Sequence, residues 1–227
     1  MCGRYTLTTP AEALEALFDL TSDDEWEAPR FNIAPQTKVS VVRQAANGRV
    51  KQSILWGAIN PRDSRPLINA RSENVATSLL FARAFGGSRV LVAADGFFEW
   101  TSLRGNRRAR YFQTPESGPF AFAGLAVTLP SESPGDREDA AVILTTAASS
   151  SIREYHSRMP LVIARHDYAQ WLDRATSPKA VMDLMAAGAG VEWASIPVGP
   201  SVNHVRNDGP DCIARANHPA DRQGSLF

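Results

Sequence analysis

The stretch Val39-Ser-Val-Val-Arg-Gln-Ala-Ala-Asn-Gly-Arg-Val-Lys-Gln-Ser-Ile-Leu-Trp56 reads as a β-hairpin. Residues 39–43 are rich in β-branched side chains, residues 50–56 form a second run, and Asn47-Gly48 supplies the turn between them. The same grammar recurs along the chain. Val90 to Trp100 is an apolar run broken by Asp95-Gly96, and Tyr111–Gln113, Phe120–Leu129, Ala141–Thr146, Leu161–Ala164 and Val191–Val198 read as further strands. These strands are short, close together and joined mainly by turns. They predict an α+β domain with a mixed, mainly antiparallel sheet, and not a βαβ repeat.

Helices flank this set. Thr9-Pro10-Ala11-Glu12 has the form of a helix start, with Thr9 as N-cap, Pro10 at the first helical position and Glu12 closing a capping box. Leu14, Leu17 and Phe18 then give one apolar stripe. Asp23-Asp24-Glu25 and Pro29 end that unit in an acidic loop. His166–Arg174 and Pro178–Ala187 are expected to be helical, with Gly188 as a C-cap. Residues 104–110 read as a basic hairpin loop and 131–139 as an acidic loop. No linker divides the chain, so residues 2–215 are expected to form one domain, with 216–227 as a loose polar tail.

The 227 residues carry 24 bases and 24 acids, a formal net charge of zero. That excludes binding of nucleic acid by bulk charge alone. Only Lys38, Lys51 and Lys179 are lysines, so the other 21 bases are arginines, the residue suited to bidentate contact with phosphate. Codon bias accounts for such an excess but not for where individual arginines fall. Two cysteines, Cys2 and Cys212, cannot build a disulfide framework, and there is no CxxC or HExxH pattern for a metal. No signal peptide or apolar span is present, so a reducing, cytoplasmic compartment is expected. No cofactor or metal is expected. Cys212 reads as a small buried residue, and His166, His204 and His218 receive no role.

Cys2 follows the initiator Met. With Met1 removed, an α-amine of pKa ~7.7–8.0 and a thiol of ~8.5 sit on one residue, both partly deprotonated near neutral pH. The amine condenses with an aldehyde to a Schiff base, and the thiol closes on the same carbon to give a thiazolidine. A Cys at such a position is more often just a small residue near a terminus, so the residues around it decide.

Met1-Cys2-Gly3-Arg4-Tyr5, Phe31-Asn32-Ile33-Ala34-Pro35, Trp56-Gly57-Ala58-Ile59, Asn69-Ala70-Arg71-Ser72-Glu73, Asp95-Gly96-Phe97-Phe98-Glu99-Trp100, Phe122-Ala123-Gly124-Leu125, Thr145-Thr146-Ala147 and His156-Ser157-Arg158-Met159-Pro160 together resemble SRAP-domain proteins, which process abasic DNA sites. The closing segment, from Pro197-Val198 through Val202-Asn203 to Asp208-Gly209-Pro210, is also similar. The resemblance runs in order from residue 2 to about 213. Departures are Asn60 before Pro61, Phe98 for a usual Tyr and Ala126 for a usual Trp; they lie beside the reactive set.

This resemblance implies a barrel-like β core and a thiazolidine crosslink between Cys2 and an abasic site in single-stranded DNA. It implies catalytic roles for Cys2, Asn69, Glu99 and His156. Asn69 would orient the amine or sugar, Glu99 would act as general acid/base, and His156 would move protons at the sugar. DNA contacts are implied for Gly3, Arg4, Asn32, Pro35, Trp56, Ala70, Arg71, Trp100, Thr145, Arg158, Met159 and Pro160. Among these, Arg4, Arg71 and Arg158 would hold phosphates and gather around Cys2, while Trp56 and Trp100 would stack on bases. Association with the nucleoid would follow from DNA binding.

Two other classes of function stay open at this level. One is a cysteine peptidase or amidohydrolase using Cys2, His156 and Glu99. The other is a non-catalytic single-strand-binding module. The tail Gln223-Gly224-Ser225-Leu226-Phe227 resembles a bacterial sliding-clamp-binding pentapeptide, with Gln223 as the polar contact and Leu226-Phe227 as the pocket-filling pair.

Overall fold

The computed structural model describes residues 2–21, 25–60, 63–103, 106–130 and 137–216. Five strands form a ring: β3 (Lys38–Ala45), β4 (Gly48–Trp56), β8 (Arg89–Ala94), β11 (Phe120–Pro130) and β12 (Arg137–Ala147). The pairs β4–β3, β3–β8, β8–β11 and β11–β12 are antiparallel. A parallel pairing of β12 with β4, Ala140 opposite Leu55 and Ala141 opposite Trp56, closes the ring. Closure removes the exposed edges that an open sheet of this length would present. The barrel-like core is therefore a property of the molecule, and the strand class is α+β as expected from the sequence.

Strand β12 extends past the ring. There it pairs with β7 (Asn69–Arg71) on one side and β13 (Arg158–Pro160) on the other, while β14 (Val162–Ile163) adds to β11. A second sheet has the order β15 (Ala194–Val198), β10 (Asn106–Gln113), β9 (Gly96–Leu103), β1 (Tyr5–Leu7), β2 (Arg30–Ile33). A short ribbon of β5 (Ala58–Ile59) and β6 (Pro66–Leu67) completes the strands. Helices α1 (Ala11–Phe18), α2 (Ala82–Gly87), α3 (Ser150–Arg153), α4 (Tyr168–Leu172) and α5 (Pro178–Gly188) flank them. None is long and apolar enough to cross a membrane among the described residues.

The apolar run 90–100 is one strand in two sheets. Every residue of β8 is buried, because the strand is covered on both faces. At Asp95 the chain leaves the ring and continues as β9 in the second sheet. Asp95 accepts from Thr6 Oγ1 (2.5 Å), Thr8 N (2.5 Å), Thr8 Oγ1 (2.8 Å), Thr9 N (2.8 Å) and Thr9 Oγ1 (3.0 Å). Gly96 is required at this corner: a Cβ there would lie 2.2 Å from the Tyr111 hydroxyl, which itself bonds Thr6 Oγ1 at 2.8 Å.

Several local expectations are corrected. Pro10, not Thr9, occupies the N-cap of α1, and no side chain caps it, because the Thr9 hydroxyl is taken by the Asp95 carboxylate. The hairpin loop is Ala46-Asn47, since Ala45 pairs with Gly48; Gly48 keeps the left-handed φ of +129° and packs against Thr21. Gly188 is the last residue of α5, not a C-cap. Its hydrogen faces the Val162 carbonyl, where a Cβ would come within 2.0 Å. Residues 106–110 belong to strand β10, so the basic segment is mostly strand, not loop. The helix expected at 166–174 shortens to a 3₁₀ turn, Arg165–Asp167, followed by α4.

Two consequences are measurable. Asp95→Asn turns part of an acceptor-only group toward hydroxyl and amide donors, and it should cost about 2–4 kcal/mol, read as a lower unfolding midpoint in urea with an unchanged slope. Gly188→Ala forces α5 away from β14 and should cost about 1–3 kcal/mol. A midpoint equal to wild type in either variant would contradict the packing described.

Candidate functional site

Cys2 is fully buried in the segment leading into β1. Its backbone carbonyl accepts a hydrogen bond from Asn69 Nδ2 at 2.8 Å. Asn69 is the first residue of β7, placed by its register opposite Ile143 of β12. The barrel wall thus reaches across to hold the second residue of the chain. Asn69 Oδ1 is buried and has no hydrogen-bond partner among the described residues.

Glu99 comes from β9, which lies beside β1 with Phe97 opposite Tyr5 and the Phe98 amide donating to the Arg4 carbonyl at 3.0 Å. Only 4% of Glu99 is exposed. Burial raises its carboxyl above the ordinary carboxylate range, against the opposing pull of His156. The Cys2 thiol is pushed far up as well, by burial first and by the Glu99 charge second. Burial thus disfavours the charged form of both groups relative to their solvated state. His156 follows α3, its amide bonded to the Ile152 carbonyl at 3.0 Å. Its Nδ1 lies 2.9 Å from the Arg158 amide, which donates to it, and 3.1 Å from the Arg158 carbonyl, so the Arg158 backbone fixes the ring.

Glu99 and His156 border a cleft of about 720 Å³, and Cys2 lies buried next to Gly3 of its wall. Gly3, Arg4, Glu99 and His156 contribute to it, Ala34 and Pro35 form part of its wall, and Trp100, Arg107 and Val205 also line it. The Arg4 guanidinium lies 5.8 Å from the Trp100 ring centre and that of Arg107 lies 4.9 Å from it. An aromatic surface beside two cations suits a ligand that carries both flat rings and negative charge.

The structure therefore brings Cys2, Asn69, Glu99 and His156 to one place from four separate segments, and it sets Gly3, Arg4, Pro35 and Trp100 beside them. Other expected DNA contacts stand differently. Trp56 is wholly buried, donates Nε1–H to the Ile68 carbonyl at 3.0 Å and packs edge-on against Tyr5; it is a core residue with no face for a base. Asn32 is buried, and its amide nitrogen reaches the carbonyls of Val202, His204 and Asn207. Ala70, Thr145, Met159 and Pro160 are buried too. They hold β7, β12 and β13 together beneath the site and are not surface contacts. Arg158 makes two bonds to Glu73, of 2.5 and 2.9 Å, and a third to the Thr145 carbonyl, so it is already paired. Arg71 is exposed.

Arg107 and Val205 escaped the sequence reading. Arg107 was legible only as one base in a basic run, and its approach to Trp100 depends on strand register, Arg108 opposite Thr101. Val205 carried no motif. Cys212 is buried as expected, with its thiol directed at the Asn207 carbonyl (3.4 Å). The Gln223, Leu226 and Phe227 tail segment lies outside the described residues.

Comparison with known proteins bears on this geometry. Residues 1–205 match the family model described as SOS response associated peptidase (SRAP). The chain is 31% identical over 223 residues to the abasic site processing protein YedK of Escherichia coli, covering 94% of this chain and 99% of that one. It is 28% identical to the abasic site processing protein YoaM of Bacillus subtilis, covering 96% and 100%. It is 26% identical to the rat abasic site processing protein HMCES, covering 96% of this chain and 76% of that protein. A crystal structure of a protein from Bacteroides thetaiotaomicron superposes with a TM-score of 0.80 at 17% identity, over 95% of this chain and all of that one. That likeness speaks to the fold alone. With the family match spanning nearly the whole chain and a relative this similar over its full length, the chain belongs to the SRAP family.

Proposed function

We propose that this protein processes abasic sites in single-stranded DNA, and that it does so by capturing the ring-opened aldehyde covalently at Cys2. The relatives named above are abasic site processing proteins. The observation that carries the chemical reading is the bond from Asn69 Nδ2 to the Cys2 carbonyl, which fixes residue 2 next to the cleft that Gly3, Glu99 and His156 line.

The reaction balances without a cofactor. Once Met1 is removed, the Cys2 α-amine adds to C1′ of the aldehyde to give a carbinolamine. Loss of its hydroxyl as water leaves an imine. The thiol sulfur then adds to the imine carbon, the thiol proton passes to nitrogen, and a thiazolidine results with release of one water overall. A carboxyl held above its ordinary range is still partly protonated where a free glutamate is not, so Glu99 supplies the proton that the departing hydroxyl needs. His156, which lines the cleft with Glu99, serves the sugar oxygen during ring opening. Asn69 Oδ1, buried and unpartnered, is placed to accept from the amine or a sugar hydroxyl. The Cys2 thiol, far from forming a resting thiolate, gives no support to a thiolate-first peptidase.

Mature protein should form a heat-stable adduct with uracil-containing single-stranded DNA that has been treated with uracil glycosylase. Cys2→Ala should form none, and Cys2→Ser at most a labile one. Peptide cleavage without adduct would favour the peptidase reading, and reversible binding alone the binding-module reading.

Glu99→Gln separates chemistry from folding. Adduct formation should slow by about 10²-fold at neutral pH, the lower end of what general acid–base catalysis contributes. Stability should move the other way. A raised carboxyl means that the folded protein binds its proton more tightly than the unfolded chain does, so wild type loses stability as pH rises from about 4.5 through the folded-state value. Glu99→Gln lacks that loss. Its unfolding midpoint should match wild type near pH 4 and exceed it by pH 8; equal midpoints at both pH values would show that the carboxyl is not strained by burial.

A further inference from the structure

The segment 200–208 crosses the cleft wall as a turn fastened from several sides. Arg4 Nη1 donates to the Val202 carbonyl at 2.9 Å, and Asn32 Nδ2 reaches the Val202, His204 and Asn207 carbonyls. Trp100 Nε1 donates to Asn203 Oδ1 at 2.8 Å. Asp208 accepts from the Phe31 and Asn32 amides at 2.6 and 2.8 Å and pairs with Arg30 at 3.1 Å. The Asn207 amide closes the turn on the His204 carbonyl at 3.1 Å, which puts Val205 at its first corner. Val205 is 58% exposed and lines the cleft with Trp100 and Arg107.

A turn anchored this heavily is rigid, and at its corner it holds an apolar side chain in water. Exposure of a valine has no folding benefit. An apolar side chain on a rigid support beside an aromatic ring and two guanidiniums fits the face of a nucleobase. A missing base leaves its neighbour's face uncovered, and filling that gap with an apolar group removes both surfaces from water.

We infer that Val205 packs against the base flanking the lesion and contributes selectivity for abasic sites next to an intact base. This rests on the abasic-site reading for its ligand, but not on the crosslinking chemistry.

The test uses full-length mature protein and oligonucleotides carrying tetrahydrofuran, an abasic analogue without an aldehyde, so no adduct forms. One oligonucleotide has purines on both sides of the analogue; the other has further tetrahydrofuran residues there. Wild type should bind the purine-flanked strand about fivefold more tightly, of the order expected for partial burial of one valine. Val205→Asn should reduce that preference below twofold, and Val205→Leu should retain it. Leu79→Asn, which changes another exposed hydrophobic residue (94% exposed) outside the cleft, should leave the preference as in wild type. Comparing ratios between strands cancels any general change in DNA affinity. Equal preference in wild type and Val205→Asn, or no preference in wild type, overturns the inference. Failure of wild type to form an adduct with authentic abasic DNA would instead overturn the crosslinking chemistry and leave these ratios standing.

Discussion

One carboxylate organises the protein. Asp95 sits where the strand 90–100 leaves the barrel, and it gathers five donors from Thr6, Thr8 and Thr9. Charge-assisted bonds of this kind are the strong ones, and these are largely withdrawn from water. They tie residues 6–9 to the barrel corner. Through Thr6 they fix β1, and through β1 they fix the position of Cys2. The same corner sends β9 on toward Glu99. Cys2 and Glu99 are thus held in register by one short segment, whose glycine allows Tyr111 to close over the bend.

What the sequence revealed and what it hid follow from that arrangement. Alternation and turn residues disclosed the hairpin of β3 and β4 and the continuous apolar run of β8, because each is encoded within a few residues. Ring closure was legible only through the resemblance and not from local pattern, since it depends on a parallel pairing of Ala140 and Ala141 with Leu55 and Trp56 from distant segments. That Cys2, Asn69, Glu99 and His156 belong together was legible through motif resemblance, not through periodicity. Trp56, Asn32 and Thr145 misled for one reason: a motif marks which residues matter without saying whether they face the ligand or support those that do. Trp56 and Thr145 brace the wall that presents Asn69, and Asn32 braces the turn that presents Val205.

The arginine excess resolves in the same way. Arg89 is buried and caps three backbone carbonyls, those of Phe85, Trp171 and Asp173. Arg49 and Arg165 also bond main-chain carbonyls, while Arg30, Arg43 and Arg158 pair with carboxylates. A guanidinium with five directed donors can fasten loops that a lysine could not. Much of the excess is therefore structural. What remains at the cleft is narrow: Arg4 and Arg107 beside Trp100. Zero net charge is compatible with that, because two placed cations act locally where a uniform surplus would bind any polyanion.

The site itself is assembled against folding preference. An unpartnered amide oxygen and an exposed valine cost stability, and burial of the Glu99 carboxyl is offset only in part by the pull of His156. Compensation comes from around them, in the aromatic packing of Tyr5 on Trp56 and Phe122, and of Phe97 on Phe112 and Trp193. That separation matters for the chemistry. In the chemistry proposed above, a carboxyl desolvated in this way keeps its proton to higher pH than a solvated one. The rings pack β1 and β9 against the barrel, so the positions of Cys2 and Glu99 are set by contacts that neither residue supplies.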